Sequence, residues 1–177
     1  MLDKALALAA LGIHVFPCRE KTTVENGTLR KEKSPYVPGG FNDGTTDEQQ
    51  IRSWWSKWPH ALVGVWAGKS ELVCLDIDQK LEDESGASKD GWYSLFEAGL
   101  ADELDDSYFS YTTGGGGNHF LFSVPEGAPR LGPTVKHPLP KGFEVPGVHP
   151  ADGVLQDVDR RAGASYFIWW ADEVPTD

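Results

Sequence analysis

The alternation of apolar and polar positions predicts short helices and strands, with most of the strands in the second half of the chain. Apolar residues at helical spacing predict helices over residues 2–11, 46–57 and 91–100. Short apolar or alternating runs predict strands over residues 13–17, 62–66, 72–78, 108–112, 119–124, 154–159 and 165–170. We expect the last two strands to pair with each other. This order favours an α+β domain in which helices cover one face of an antiparallel sheet.

The helix predicted over residues 46–57 has the most regular apolar face. Its apolar residues, spaced at i, i+3, i+4 and i+7, are Ile51, Trp54, Trp55 and Trp58. Thr46 is placed to cap this helix, and Gln49 would complete a capping box. Core packing is the commoner role for such a stripe of tryptophans, and stacking on nucleic-acid bases is the alternative.

Two long connections, residues 19–44 and 125–153, are rich in glycine, proline and charge. The first has a hairpin signal at residues 25–28. Loops of this length inside a compact domain are usually functional or mobile. The polar stretch 80–90 is also predicted to be a loop.

Length and composition are those of one ordinary globular domain, residues 1–177. Hydrophobic residues make up 40% and charged residues 24%. No apolar run is long enough to cross a membrane, and the start of the chain lacks the features of a signal peptide. Cys18 and Cys74 lie in apolar runs, which favours buried free thiols in a reducing cytoplasm over a disulfide.

The formal net charge of −11 weighs against nucleic-acid binding, because phosphate contacts need a basic surface. The charge is unevenly distributed, however. Residues 19–33 hold five basic and three acidic side chains, and residues 130–141 hold Arg130, Lys136 and Lys141 with no acid. A local basic surface is therefore compatible with the acidic total.

The strand predicted over residues 72–78 ends in two acids, Asp76 and Asp78. Side chains two apart on a strand point to the same face, and adjacent carboxylates repel each other. A cation between them removes that cost, and oxygen ligands suit Mg²⁺ or Mn²⁺. The pattern therefore indicates metal-dependent phosphoryl or nucleotidyl transfer, with a pair of solvent-facing acids as the alternative.

Three further features carry candidate chemistry. A glycine run ends at His119, and glycines let a backbone approach a phosphate closely, although such a run also suits a plain hairpin. Asp157 and Asp159 form a second i, i+2 acid pair at the end of a predicted strand, and Arg160 and Arg161 follow them. Lys33 in the first long connection is a cation able to reach a phosphate.

The order of these features resembles the bifunctional primase–polymerase (prim-pol) domains of the archaeo-eukaryotic primase superfamily, found in phage and plasmid replication proteins. The resemblance covers nearly the whole chain. It rests on residues 12–17, 33–35, 39–41, 45–47, 54–59, 63–68, 75–78, 116–119 and 158–161. Within these, residues 76–78 are similar to the family's DxD motif and residues 117–119 to its small-x-His motif. Gly117 stands where the family frequently has Ser.

The resemblance implies a primase-like core, in which an RRM-like sheet over residues 71–170 carries the metal site. Residues 1–70 would form a smaller N-terminal αβ unit. Two divalent ions, Mg²⁺ or Mn²⁺, would be held by Asp76, Asp78 and Asp159, the last preferred to Asp157 because its spacing fits the family. His119 would bind the incoming triphosphate. The other residues implied in nucleotide binding are Lys33, Gly115, Gly116, Gly117 and Arg161.

The function implied is template-dependent nucleotidyl transfer by a DNA primase and DNA polymerase. Its partners would be single-stranded or primed DNA and nucleoside triphosphates. A GxxxxGK[ST] motif is absent from the sequence, so a helicase would act from the same longer protein or in trans. Two alternatives are a metal-dependent nuclease or other phosphoryl-transfer enzyme, and a non-catalytic module that binds single-stranded nucleic acid.

Overall fold

The computed structural model describes residues 1–82, 84, 86–104, 108–136, 138 and 154–175. The chain divides into two compact units. The first consists of Met1–Glu71 together with Gly163–Asp177, and the second of Leu72–Ala162. The chain thus enters the second unit once and returns to the first.

The first unit is built around a three-stranded antiparallel sheet. Its elements are α1 (Leu2–Ala10), β1 (Val15–Cys18), β2 (Thr23–Glu25), β3 (Thr28–Arg30), a 3₁₀ turn (Gly40–Asp43), α2 (Glu48–Lys57), β4 (Leu62–Trp66) and, from the end of the chain, β11 (Tyr166–Ile168). The sheet order is β1-β4-β11, and β2 and β3 form a separate hairpin. This hairpin lies at the position of the predicted hairpin signal.

The tryptophans of α2 contribute to the core of the first unit. Ile51 is fully buried and Trp55 is 3% exposed, and the Trp55 indole nitrogen donates a hydrogen bond to the Ala61 carbonyl at 3.2 Å. Trp54 and Trp58 are half-buried and pack against the cluster that contains Phe16. The prediction that this stripe is a packing face is confirmed.

The second unit contains a four-stranded antiparallel sheet. Its elements are β5 (Leu72–Ile77), β6 (Gln79–Lys80), β7 (Lys89–Asp90), α3 (Gly91–Glu97), a 3₁₀ turn (Ala101–Glu103), β8 (Ser110–Thr112), β9 (Asn118–Ser123) and β10 (Val158–Arg161). The sheet order is β10-β5-β9-β8, which is 4-1-3-2 when these four strands are numbered in chain order. An antiparallel sheet in this order, with a helix between its first two strands, is RRM-like. The α+β fold class is confirmed.

Strand alternation gives the four-stranded sheet two different faces. Ile77, Phe120 and Val158 are buried in one cluster with Leu95 of α3. At the start of β9, the indole nitrogen of Trp92 donates to Asn118 Oδ1 at 3.0 Å, which ties α3 to the sheet. Their sequence neighbours Asp76, His119 and Asp159 lie on the other face.

Three local predictions differ from the structure. The last two strands do not form a pair, because β10 pairs with β5 while β11 pairs with β4. The α2 helix is capped by the side chain of Asp47, which accepts a hydrogen bond from the Gln50 amide at 2.7 Å, and not by Thr46. The ends of the predicted loop 80–90 belong to the short strand pair β6–β7, which joins Gln79–Lys80 to Lys89–Asp90.

Both cysteines are buried free thiols, as predicted. Cys18 lies in β1 of the first unit and Cys74 in β5 of the second, and burial raises the pKa of each thiol. Among the residues that the structure describes, no helix has the length and apolar character needed to cross a membrane.

Candidate active site

Four side chains form a row across the four-stranded sheet. The register pairs Asp159 with Asp76, Asp76 with His119, and His119 with Tyr111. Residues directly opposite each other on neighbouring strands share a face, so this row lies on the face opposite to α3. Strand pairing therefore brings together residues that are up to 83 positions apart in sequence.

Asp76 is at the centre of this row and contacts two cationic or polar partners. Its Oδ1 lies 3.3 Å from His119 Nε2, and its Oδ2 lies 3.2 Å from Arg161 Nη2. The same Arg161 nitrogen lies 2.7 Å from Asp159 Oδ2. One guanidinium nitrogen is thus shared by two carboxylates, which removes most of the repulsion expected between them.

The surroundings of Asp76 act on its pKa in opposite directions. Burial of the carboxylate raises the pKa, whereas hydrogen bonds and electrostatic interactions with His119 and Arg161 lower it. The net effect is a pKa below the usual value for aspartate. Asp76 is therefore an ionised acceptor near neutral pH, although only 15% of its side chain is exposed.

Asp78 lies just beyond the end of β5, and its main contact is with a different cation. Its Oδ2 lies 2.5 Å from Lys89 Nζ on β7. This hydrogen bond raises the pKa of Lys89, and the negative charges of Asp78, Asp157 and Asp159 raise it further. Burial lowers the pKa, but the net effect is a pKa above the usual value for lysine. Sequence analysis missed Lys89 because residues 80–90 read as a polar loop with no chemical signal.

His119 is 4% exposed, and both of its ring nitrogens have neighbours. Nδ1 lies 3.1 Å from the Tyr111 hydroxyl, and Nε2 faces Asp76 as described. Tyr111 also packs edge-on against the imidazole, with the ring centroids 5.2 Å apart. Sequence analysis did not single out Tyr111, and the only available signal was its position in a strand that pairs with His119.

The two candidates for the third acid have different surroundings. Asp159 faces Asp76 across the strand pair and also accepts a hydrogen bond from the Lys136 amide at 2.9 Å. Asp157 precedes the strand with a φ of +56°, and its side chain accepts a hydrogen bond from the Asp90 amide at 3.2 Å. Its backbone carbonyl accepts from the Asp78 amide at 2.8 Å. Asp157 therefore stabilises local backbone, whereas Asp159 belongs to the row.

The glycine run forms the turn between β8 and β9. Gly116 has a φ of +92°, a conformation that side chains rarely adopt. A Cβ atom at Gly117 would overlap the carbonyl oxygen of Ile77, so the backbone of this turn lies directly against the end of β5. Gly115 has open space around it, with Thr113 Oγ1 as the nearest atom at 3.9 Å from an added Cβ.

The basic residues of segments 19–33 and 130–141 have varied surroundings. Arg19 is 6% exposed, and its guanidinium pairs with Glu25 of the hairpin in the first unit. Lys33, also in the first unit, lies 3.8 Å from Glu32 and 5.4 Å from the centre of the Trp170 ring. Lys136 lies beside β10, and Lys141 lies outside the described residues. The nucleotide-binding role of Lys33 stays a prediction.

The α+β fold and this row of ionisable residues define an RRM-like domain with polar chemistry on the face of its sheet that lies opposite to α3. Residues 5–175 match the family described as "Bifunctional DNA primase/polymerase, N-terminal". The chain belongs to this family. Membership implies DNA primase/polymerase nucleotidyl transfer, with a DNA template and nucleotides as substrates. A comparison with curated proteins found no match.

Enzymes of this family generally use divalent metal ions, so we asked whether the residues present fit such an ion. The donor chemistry fits, because Asp76 and Asp159 offer carboxylate oxygens to one shared cationic nitrogen. In the described part of the chain, no three His, Cys, Asp or Glu side chains are grouped closely enough to hold a metal ion. The acids are instead neutralised by Arg161 and Lys89, and a metal ion would replace these cations.

Proposed function

We propose that this chain is the catalytic domain of a template-dependent DNA primase and DNA polymerase that uses two divalent metal ions, Mg²⁺ or Mn²⁺. The observation that carries the proposal is the register of the sheet, which aligns Asp159, Asp76 and His119 on neighbouring strands. Three segments that resemble family motifs thus each contribute one residue to this row. Membership of the primase/polymerase family supports the same reaction class.

In the proposed site, Asp76, Asp78 and Asp159 hold the metal ions. Bound divalent ions would lower the pKa of a primer 3′-hydroxyl and neutralise charge on the triphosphate. Asp76 is suited to the ligand role because its pKa is below the usual value, so no proton has to leave before it binds a cation.

Arg161 and His119 are proposed to bind the triphosphate. Arg161 already holds two carboxylates, and a metal ion at those carboxylates would release the guanidinium for a phosphate. A planar guanidinium can bind two phosphate oxygens at once. The ring of His119 would exchange one of its present partners, Asp76 or Tyr111, for a phosphate oxygen. The backbone of residues 115–117 would allow close approach of the triphosphate.

The test is extension of a labelled primer on a template with Mg²⁺ or Mn²⁺ and nucleoside triphosphates. We expect Asp76→Asn, Asp78→Asn and Asp159→Asn each to lower the extension rate by about a hundredfold or more, because an amide binds a divalent ion much more weakly than a carboxylate. Asp157→Asn is the matched control, since its side chain accepts a backbone hydrogen bond that an amide oxygen can also accept. We expect its extension rate to stay within about threefold of the parent rate.

The length of the product separates the alternatives. Shortened oligonucleotides without any need for nucleotides would indicate a nuclease, and unchanged oligonucleotides would indicate a binding module. Full extension by Asp76→Asn would contradict the proposed metal site. An Asp157→Asn variant that loses activity while Asp159→Asn keeps it would reverse the choice of third acid.

Within this proposal the domain acts in phage or plasmid replication and depends on a helicase. The sequence holds no GxxxxGK[ST] motif, so strand separation would come from a helicase in the same longer protein or in trans. Extension of primed single-stranded DNA but not of nicked duplex DNA, with duplex extension restored by an added helicase, is the expected behaviour.

A further inference from the structure

Lys89 is a cation whose side chain contacts the proposed metal ligand Asp78, and neither the sequence motifs nor the resemblance assigned it a role. Its ammonium lies 2.5 Å from Asp78 Oδ2, and the charges of Asp157 and Asp159 also act on it. It is carried by β7, which pairs with β6, and β6 begins immediately after Asp78 in the chain. The β6–β7 pair thus places the Lys89 ammonium beside the carboxylate of Asp78.

The ion pair between Lys89 and Asp78 is of the kind that exchanges easily. The two side chains are 46% and 38% exposed, so water already competes for both charges. A lysine ammonium is a point charge on a flexible stem, and it can turn to another anion without movement of the backbone. In contrast, Arg161 is held by two carboxylates that are only 14% and 15% exposed.

Asp78 cannot give the same oxygen lone pairs to an ammonium and to a divalent ion. We propose that Lys89 occupies Asp78 until a metal ion binds, and that its ammonium then contacts a phosphate group of the substrate. Both charged groups stay neutralised in the exchange. The Asp78 carboxylate exchanges the ammonium for the metal ion, and the Lys89 ammonium exchanges the carboxylate for a phosphate. This inference rests on the proposed metal role of Asp78.

The exchange predicts opposite effects of one substitution. Lys89→Met keeps most of the apolar stem and removes the charge. Without nucleotide or DNA, Mn²⁺ binding should become about twofold to fivefold tighter, because the metal no longer displaces a partly exposed ion pair. With metal present, binding of the phosphate-bearing substrate should become about tenfold weaker, since a charge-assisted hydrogen bond is lost. A residue with only a structural role would not change the two affinities in opposite directions.

The experiment measures Mn²⁺ binding to the metal-free protein by calorimetry or by the electron paramagnetic resonance signal of free Mn²⁺. Separate titrations then measure a non-hydrolysable nucleoside triphosphate and primed DNA, each at saturating Mn²⁺. The proteins are the parent, Lys89→Met, Asp78→Asn and Lys80→Met. Lys80→Met is the matched control, because Lys80 lies opposite Lys89 in the β6–β7 pair and its loss changes the charge of that pair equally.

The outcomes separate this inference from the proposed function. Mn²⁺ binding that is insensitive to Asp78→Asn would overturn the proposed metal role of Asp78 itself. If Asp78→Asn weakens Mn²⁺ binding but Lys89→Met leaves it unchanged, the metal role stands and the exchange is wrong. Equal effects of Lys80→Met and Lys89→Met would mean that only the total charge of the β6–β7 pair matters, and this would overturn the inference. Weaker binding of the triphosphate alone identifies the phosphate as the nucleotide's, and weaker binding of DNA alone identifies it as the template's or primer's.

Discussion

Asp76 shows how one carboxylate can remain ionised while most of it is removed from water. The hydrogen bonds from His119 and Arg161 lower its pKa by more than burial raises it. Each of these partners is itself oriented by a neighbour, His119 by the Tyr111 hydroxyl and Arg161 by Asp159. The row is therefore a connected network, and removal of one member takes a hydrogen bond or an ion pair from its neighbour.

His119 provides a prediction about binding. His119→Ala should weaken nucleotide binding by about tenfold or more, because it removes a hydrogen-bond donor proposed to face the triphosphate. Binding of template DNA should stay nearly unchanged. Separate titrations of nucleotide and DNA at fixed Mn²⁺ test this, with Tyr111→Phe as a variant that keeps the imidazole and removes only its hydroxyl neighbour. Unchanged nucleotide affinity together with loss of DNA binding would contradict the assignment.

Gly117 provides a prediction about stability at the position where the family frequently has Ser. Gly117→Ser should lower the free energy of unfolding by about 1–3 kcal/mol, because its Cβ would overlap the Ile77 carbonyl and force the backbone to move. Gly115→Ser introduces the same side chain two residues earlier, where space is open, and should change stability by less than about 0.5 kcal/mol. Urea denaturation measures both, and equal stabilities of the two variants would contradict the close packing of Gly117.

At the scale of elements, β5 explains which parts of the site the sequence could predict. An apolar run that ends in acids predicted a strand, and in the structure Asp76 lies on the face of that strand that it shares with His119 and Asp159. The rule that residues two apart share a face holds only while the strand continues, and β5 ends at Ile77, so alternation no longer fixes the direction of Asp78. Lys89 then supplies its partner from a neighbouring short strand.

Strand register is the part of the site that local sequence patterns could not predict. The alignment of Asp159 with Asp76 depends on hydrogen bonds between strands 83 positions apart. The pairing of β11 with β4, and not with β10, likewise depends on which core can bury the apolar face of β11. The sequence predicted that β10 and β11 pair with each other, because they are neighbours along the chain and both have strand character.

The start of α2 provides a prediction at this scale. Asp47→Ala should lower the free energy of unfolding by about 1 kcal/mol, because the Gln50 amide loses its acceptor and the helix loses a negative charge at its N-terminus. Thr46→Ala is the matched control, since the helix cap is Asp47, and it should have a much smaller effect. Thermal or urea denaturation tests both, and a larger loss for Thr46→Ala would restore the capping box with Gln49.

At the scale of the whole molecule, the two units differ in how the chain builds them. The second unit is one continuous segment with its own core, which includes Ile77, Leu95 and Phe120. The first unit is discontinuous, because β11 joins β4 through pairs such as Trp66 with Tyr166, about 100 residues apart in sequence. Ile168 of β11 packs in the same cluster as Phe16 and Cys18, so this distant segment completes the core of the first unit.

The two cysteines allow the order of folding to be measured. Pairing of β5 with β10 brings Cys74 opposite Arg161. Folding of the second unit therefore shortens the effective loop between β4 and β11, which must close before these two strands can pair. A shorter loop costs less entropy to close. We therefore expect Cys74 to become protected from a thiol reagent before Cys18 during refolding. Each unit holds one buried cysteine, so pulsed labelling followed by mass spectrometry of the separated peptides reports on the two units independently.

A variant that weakens the second unit provides the control for this order. Phe120→Ala removes a buried side chain from the second core and should destabilise that unit by about 3–5 kcal/mol. If the second unit must form first, this change slows the protection of Cys18 as well as that of Cys74. The matching change in the first unit, Ile168→Ala, should delay only Cys18. Protection of Cys18 before Cys74 in the parent protein would contradict this order.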